Sequence, residues 1–310
     1  LHENTAKVFG GLPGLYRHQQ QALSKAAAKR SFVVTTGTGS GKSLCFFVPI
    51  IDAAIRARAA GEASRTRAIV IYPMNALANS QMKELDKYLG ASGLPDSLRP
   101  TYARYTGQDE EASREEIRKN KPDILLTNFM MLELLLTRQN KRDCEVIENA
   151  QGLDFIVLDE LHTYRGRQGA DVAMLMRRLR DRVCRDKAPI CIGTSATMAT
   201  EGSTESRQEA VAKVASRLFG VPISAEAVIG ESLERATGGV PAPNLFSQQL
   251  RESINGPFDQ KLTDAQLADH PLAKWIELEI GLQEGRELAR RPPTPLSDSA
   301  HRLSEPTGID

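Results

Sequence analysis

Val33-Val34-Thr35-Thr36-Gly37-Thr38-Gly39-Ser40-Gly41-Lys42-Ser43 runs from a β-branched stretch through a glycine-rich turn into a segment of helical period. A strand, a turn and a helix in that order predict a loop that binds an anion. Glycines let the backbone curl until successive N–H groups point inward, and the helix that follows aims the positive end of its dipole at the same place. The ending Gly-Lys-Ser assigns the loop to phosphate, with Lys42 reaching the β and γ phosphates and the Ser43 hydroxyl ligating Mg²⁺. Thr36, Gly37, Thr38, Gly39, Ser40 and Gly41 then form the cradle. Thr36 stands where the strict Gly-x-x-x-x-Gly-Lys-Ser/Thr spacing has its first glycine. The plainer alternative for the same residues is a Gly-rich β–α turn that binds nothing.

Outward from the loop, Ser31 to Thr200 alternates short β-rich runs with helical segments. That alternation predicts an α/β fold, a parallel sheet covered by helices. The strands are expected at Ser31–Thr35, Arg67–Tyr72, Thr101–Tyr105, Asp123–Thr127, Phe155–Leu158 and Ile190–Gly193, most of them apolar throughout as buried strands are. Helices are expected at Ser43–Ala59, Ala76–Leu89, Ser113–Lys119, Met130–Leu136 and Ala170–Cys184, with Ser113-Arg114-Glu115-Glu116 as a capping box. A further helix, Ser206–Leu218, closes at Gly220 and leads to one more short run near Ile229. Paired glycines and alternating prolines in Gly238-Gly239-Val240-Pro241-Ala242-Pro243 read as a linker, so one domain is expected over 1–240 and a small helical appendage over 241–310. The only tryptophan, Trp275, falls in an amphipathic stretch of that appendage, Pro271 to Leu282.

A second constellation is Phe155-Ile156-Val157-Leu158-Asp159-Glu160-Leu161-His162, an apolar strand that ends in two adjacent carboxylates. In a parallel sheet both emerge at the carboxyl edge, where ligands bind. There Asp159 is placed to hold Mg²⁺ through water and Glu160 to orient and deprotonate the water that attacks the γ phosphate. Cys191-Ile192-Gly193-Thr194-Ser195-Ala196-Thr197 ends another strand at the same edge with small hydroxyl side chains suited to sensing that phosphate.

The phosphate loop, Asp159-Glu160-Leu161-His162 and Ser195-Ala196-Thr197 resemble, in order and spacing, motifs I, II and III of the superfamily 2 DEAD/DEAH-box helicases. The resemblance implies a RecA-like P-loop NTPase domain, the first motor domain of an ATP-dependent DNA helicase or translocase. It also implies that Leu15-Tyr16-Arg17-His18-Gln19 is the upstream Gln motif, with Gln19 on the adenine edge and Tyr16 stacked on that base. His162 would link nucleotide state to Ser195, with Thr197 in the same coupling segment. Asp159-Glu160-Leu161-His162-Thr163-Tyr164-Arg165-Gly166 is similar to the YprA-type and MrfA-type DNA helicases, relatives of fungal RecQ-like repair helicases and of phage-defence helicase subunits.

Tyr72-Pro73-Met74-Asn75-Ala76-Leu77-Ala78 resembles motif Ia, Tyr105-Thr106-Gly107 motif Ib, and Leu126-Thr127-Asn128-Phe129-Met130-Met131-Leu132 motif Ic. Met74 stands where motif Ia usually carries Thr, and Phe129 where motif Ic often carries Pro. By this likeness Pro73, Asn75, Thr106, Gly107, Thr127 and Asn128 hold one strand of single-stranded or partly duplex DNA through its phosphates, while Arg165, with Arg167, touches the DNA or bridges to a neighbouring domain. In Ala170 to Arg185 the apolar positions Val172, Leu175, Met176, Leu179 and Val183 share one face, so the arginines are expected on the solvated side.

The 310 residues carry 40 Lys+Arg against 39 Asp+Glu, a net charge of +1, with 41% hydrophobic residues. This excludes a disordered chain and a globally basic nucleic-acid coat, so polyanion binding must be local. Cys45, Cys144, Cys184 and Cys191 contain no CxxC pair, which indicates buried thiols in a reducing cytosol. No apolar run approaches the roughly 18 residues that span a bilayer, and Leu1-His2-Glu3-Asn4 has no signal-peptide pattern, so a cytoplasmic protein with no membrane partner is expected. The chain starts on Leu and lacks the Gln-x-x-Gly-Arg-x-Gly-Arg type segment of a second RecA-like domain. That domain is expected after Asp310 as a partner of this one, along with further subunits of a defence or repair complex. Two other readings of the motifs stand beside the DNA motor: an ATP-gated nucleic-acid clamp without productive turnover, and an RNA-directed DEAD-box remodeller.

Overall fold

The computed structural model describes residues 1–37, 39–185, 187–196, 204–239, 243–257, 261–283 and 288–308. These divide into two compact units, Leu1–Glu231 and Ser232–Asp310. The division falls before the glycine–proline stretch at Gly238, whose last residues lie partly outside those described.

Seven strands of the first unit form one all-parallel sheet: β1 Phe32–Thr35, β2 Ala68–Tyr72, β3 Tyr102–Arg104, β4 Ile124–Asn128, β5 Phe155–Leu158, β6 Ile190–Ser195 and β7 Val228–Gly230. Their order is β3-β4-β2-β5-β6-β1-β7, with every pairing parallel. Each expected strand is present. The central strands are buried along their length, which matches their unbroken Val/Ile/Leu/Phe runs. The helices are α1 Glu3–Val8, α2 Arg17–Ala27, α3 Leu44–Ala59, α4 Asn75–Gly90, α5 Glu111–Asn120, α6 Phe129–Thr137, α7 Lys141–Glu148, α8 Gly166–Val183 and α9 Thr204–Phe219. Right-handed crossovers place α3 and α4 on one face and α5 to α9 on the other. The helix contacts agree, with α1 and α2 packed on α3, and α8 between α6 and α9.

Three helices escape periodicity. α1 and α7 have 6 and 8 residues, too few to show a stripe. Tertiary bonds set α1 down: Asp52 of α3 accepts from the His2 N–H at 2.6 Å and from the Thr5 hydroxyl at 2.8 Å. α2 belongs to the site and is described below. α5 also starts earlier than its capping-box reading, at Glu111 after Glu110, so Ser113 is an exposed residue inside the helix rather than its cap. Asp109 fixes this entry by accepting from the Thr106 N–H and from Arg104 Nε.

On α8 the expected apolar face is buried, but its arginines do more than face solvent. Arg177 Nη1 donates to the Arg217 carbonyl, and Arg180 Nη1 to the carbonyls of Phe219 and Gly220, so both satisfy the last turn of α9. The thiols divide. Cys45 and Cys191 are buried, and burial pushes each up to about 12, whereas Cys144 and Cys184 are partly exposed.

The second unit contains α10 Pro243–Asn255, α11 Asp264–Asp269, α12 Pro271–Trp275, a π-helical turn Ile276–Gly281, the antiparallel pair β8 Leu282–Gln283 and β9 Ala289–Arg290, and α13 Leu296–Thr307. α12 and α13 both pack on α10, and Trp275 is buried. Among the described residues no helix is long and apolar enough to cross a membrane.

Candidate nucleotide and nucleic-acid site

Strand order brings the chemistry together. β6 lies between β5, which ends in the acidic pair, and β1, which feeds the phosphate loop. The loop curls through Gly39 and Gly41, both at positive φ (79° and 73°), where an L side chain is strained. Lys42 Nζ donates to the carbonyls of Thr36 at 3.0 Å and Gly37 at 3.1 Å, and the Thr36 and Ser40 hydroxyls bond each other at 2.6 Å. A threonine in place of the first glycine is thereby used inside the loop. Ser43 opens α3 with no side-chain cap bond. Thr38 lies outside the described residues.

α2 packs against α3 and braces the loop from outside. Gln19 is buried; its Nε2 donates to the Gly41 carbonyl at 3.0 Å and its Oε1 accepts from the Tyr16 N–H at 2.9 Å. His18, which sequence reasoning passed over, places Nε2 3.0 Å from the Ser40 carbonyl. Tyr16 is 67% exposed and its ring stacks on that of His18 with centroids 5.7 Å apart. An aromatic ring thus stands free on one side, next to the loop.

Asp159 and Glu160 follow β5 as expected. Thr194 of β6 donates its hydroxyl to Asp159 Oδ1 and accepts from the Glu160 N–H at 3.2 Å, so one threonine fixes both acids. Only its place in the run before Ser195 could have singled it out. Burial pushes the Asp159 carboxyl up to about 6, helped by the Glu160 charge and opposed by the Thr194 bond. Glu160 sits in the left-handed region, φ 54° and ψ 55°, a strained conformation for a residue with a side chain. His162 Nδ1 lies 3.2 Å from Ser195 Oγ and 3.3 Å from Glu160 Oε2. Acid, histidine and serine therefore meet across β5 and β6; Thr197 lies outside the described residues.

The expected strand contacts fare unevenly. Thr106 is fully buried with its N–H and hydroxyl both on Asp109, and Thr127 is fully buried with its hydroxyl on the Tyr105 carbonyl. Both hydroxyls are bonded to internal acceptors, as buried hydroxyls are. Asn128 caps α6 through Met131 N–H at 2.7 Å and donates to Asn75 Oδ1. Pro73, Asn75 and Asn128 are partly exposed, while Gly107 and Arg165 are exposed. Arg165 Nε donates to the His162 carbonyl at 2.8 Å.

A profile described as DEAD/DEAH box helicase matches residues 16–205, from the Gln motif past motif III. The chain belongs to the DEAD/DEAH box helicase family. This helicase domain is similar to the ATP-dependent helicase YprA of Bacillus subtilis, 36% identical over 191 residues that make up 61% of this chain and 24% of YprA. A crystal structure of the helicase MrfA bound to DNA superposes with a TM-score of 0.60 and 30% identity, over 74% of this chain and 28% of that one. MrfA bound to DNA and AMPPNP gives 0.57 and 26%, over 81% and 34%. The domain thus spans about a quarter of the length of YprA.

Proposed function

We propose that this domain is the first RecA-like motor domain of an ATP-dependent DNA helicase or translocase. The observation that carries the reading is Thr194 holding Asp159 and Glu160 on the strand between them and the phosphate loop. A clamp that never turned over would have no use for a Glu160 held on strained backbone beside His162. MrfA bound to DNA and AMPPNP supports DNA and a nucleoside triphosphate as the ligands.

The residues act as follows. Tyr16 covers adenine and Gln19 reads its edge while bracing Gly41. Lys42 exchanges the Thr36 and Gly37 carbonyls for β and γ phosphate oxygens, and the loop amides hold the rest. Ser43 is a hard oxygen donor that suits Mg²⁺, and Asp159 would hold the same cation through water. Bound there, the cation neutralises charge on the β and γ phosphates. Glu160 takes a proton from the attacking water as the β–γ bridging bond breaks and ADP leaves. His162 and Ser195 carry the loss of the γ phosphate toward Arg165 and the strand. A second RecA-like domain supplies the arginines that stabilise the charge on the transferring phosphoryl group. The likeness at Thr163 to Gly166 supports a role in DNA repair or phage defence, and the cytoplasm is the compartment we propose for it.

The test is ATP hydrolysis by the full-length protein with single-stranded DNA, with RNA, and with neither, using Glu160→Gln as the blank. DNA alone should stimulate turnover. Stimulation by RNA alone would favour the RNA remodeller, and no turnover under any condition would favour the clamp.

A further inference from the structure

Met74 and Met130 are each 60% exposed and Met174 is 59% exposed. Among the described residues of the first unit, only Leu1 and Tyr16 are other large apolar side chains in that state. A methionine in water loses the burial that normally places it in a core, and its flexible, polarisable thioether suits a surface that receives a ligand.

Met74 and Met130 stand at the carboxyl edge of the sheet, where α4 and α6 begin. Met74 is the N-cap of α4, and Met130 is the second residue of α6. The Asn128–Asn75 bond joins the two helix starts, so the methionines flank it. Arg178 of α8 bonds Glu133 of α6, which sets Met174 and Met130 about one turn further toward the edge on facing helices. The Phe129 and Tyr164 rings meet edge to face with centroids 6.2 Å apart, and this brings Arg165 to the same place.

Several of the polar side chains here are already engaged. The Asn128 amide is engaged by Asn75 and Met131, and the Thr106 and Thr127 hydroxyls are buried in internal bonds. What the edge offers is thioethers, beside two helix N-termini and the exposed Arg165 and Arg167, which favour an anionic chain. A single nucleic-acid strand has that combination, phosphates on one side and apolar sugar and base faces on the other.

We propose that Met74 and Met130 pack against the sugars of the bound strand and set its preference for deoxyribose over ribose. The proposal rests on the DNA-motor reading above and deepens it. A deoxyribose C2′ methylene loses nothing against a thioether, whereas a ribose 2′-hydroxyl pressed there would leave water without finding a partner. Phosphate contacts cannot make this distinction, because both strands carry the same phosphates.

The experiment compares oligo-deoxyuridine with oligo-uridine of equal length, which differ only at C2′, binding to the full-length protein with AMPPNP present. The natural protein should prefer the deoxy strand by about ten-fold. Met74→Thr with Met130→Thr should bring the preference to about two-fold or less, with an unchanged slope of affinity against salt, since the phosphate contacts remain. Met74→Leu with Met130→Leu, apolar and conservative, should keep the preference. Equal binding of both strands by the natural protein, or a threonine variant that loses both affinities in the same proportion, overturns the proposal. Binding of neither strand overturns the DNA-motor reading itself, and this proposal with it.

Discussion

Gln19 Nε2 donates to the Gly41 carbonyl at 3.0 Å, so a residue more than twenty positions upstream holds the tightest turn of the phosphate loop. The same carbonyl accepts the Leu44 N–H at 3.1 Å. Loop support and the proposed adenine contact thus fall on one side-chain amide.

Gln19→Ala should weaken nucleotide binding by about ten-fold, the effect of about 1.4 kcal/mol from one hydrogen bond and its buried acceptor. Titrating ATP and GTP separates its two tasks. A larger loss for ATP is expected from a residue that also reads adenine; equal losses would leave Gln19 as a brace only.

Gly41→Ala introduces a Cβ 2.7 Å from Gln19 Nε2 on a backbone at φ +73°. Left-handed backbone costs an L-residue about 1–2 kcal/mol, and the clash adds to this. In a double-mutant cycle read by thermal denaturation, the alanine should therefore destabilise less when Gln19 is already Ala. Strict additivity would mean the two do not touch.

The Asp159 carboxyl is raised from 3.8 to about 6 by burial. Between about pH 4 and 6 the folded protein therefore binds more protons here than the unfolded chain, so stability contributed by this group falls as pH rises through that window. Asp159→Asn keeps an acceptor for the Thr194 hydroxyl and removes the charge. Its melting temperature should match the natural protein near pH 4 and exceed it by a few degrees above pH 6, measured without nucleotide. A constant offset across the range would contradict this.

Glu160→Gln should retain ATP binding and lose hydrolysis by about 10²–10⁴-fold, the usual contribution of a general base. Lys42→Ala should lose binding itself. Fluorescent-nucleotide titration alongside phosphate release tells them apart, and parallel loss of binding in both would recast Glu160 as a structural member of the site.

The positions of Lys42, Ser43, Asp159 and Glu160 at strand ends were legible because each sits in a contiguous run, a strand followed by a turn. The central strands were legible for a related reason, since buried parallel strands are apolar without interruption. α1 and α7 were not, because helices of 6 and 8 residues carry too few apolar positions and are held by contacts such as Asp52 with His2. The second unit begins at Ser232, ahead of the glycine–proline stretch, because Gly238 N–H bonds the Ala268 carbonyl and so belongs to the structure that follows it.

Local order along the chain was enough to establish a phosphate loop, an acidic pair and the family that joins them, since those features need only neighbours within a few residues. Which hydroxyl holds which carboxylate was decided by strand order, which sets β6 between β5 and β1 and delivers Thr194 to Asp159. Which side chains reach the surface at the starts of α4 and α6 was likewise decided in three dimensions. Thr106 and Thr127 turn inward because buried hydroxyls must find partners, and Met74 and Met130 are left standing where polar contacts were expected.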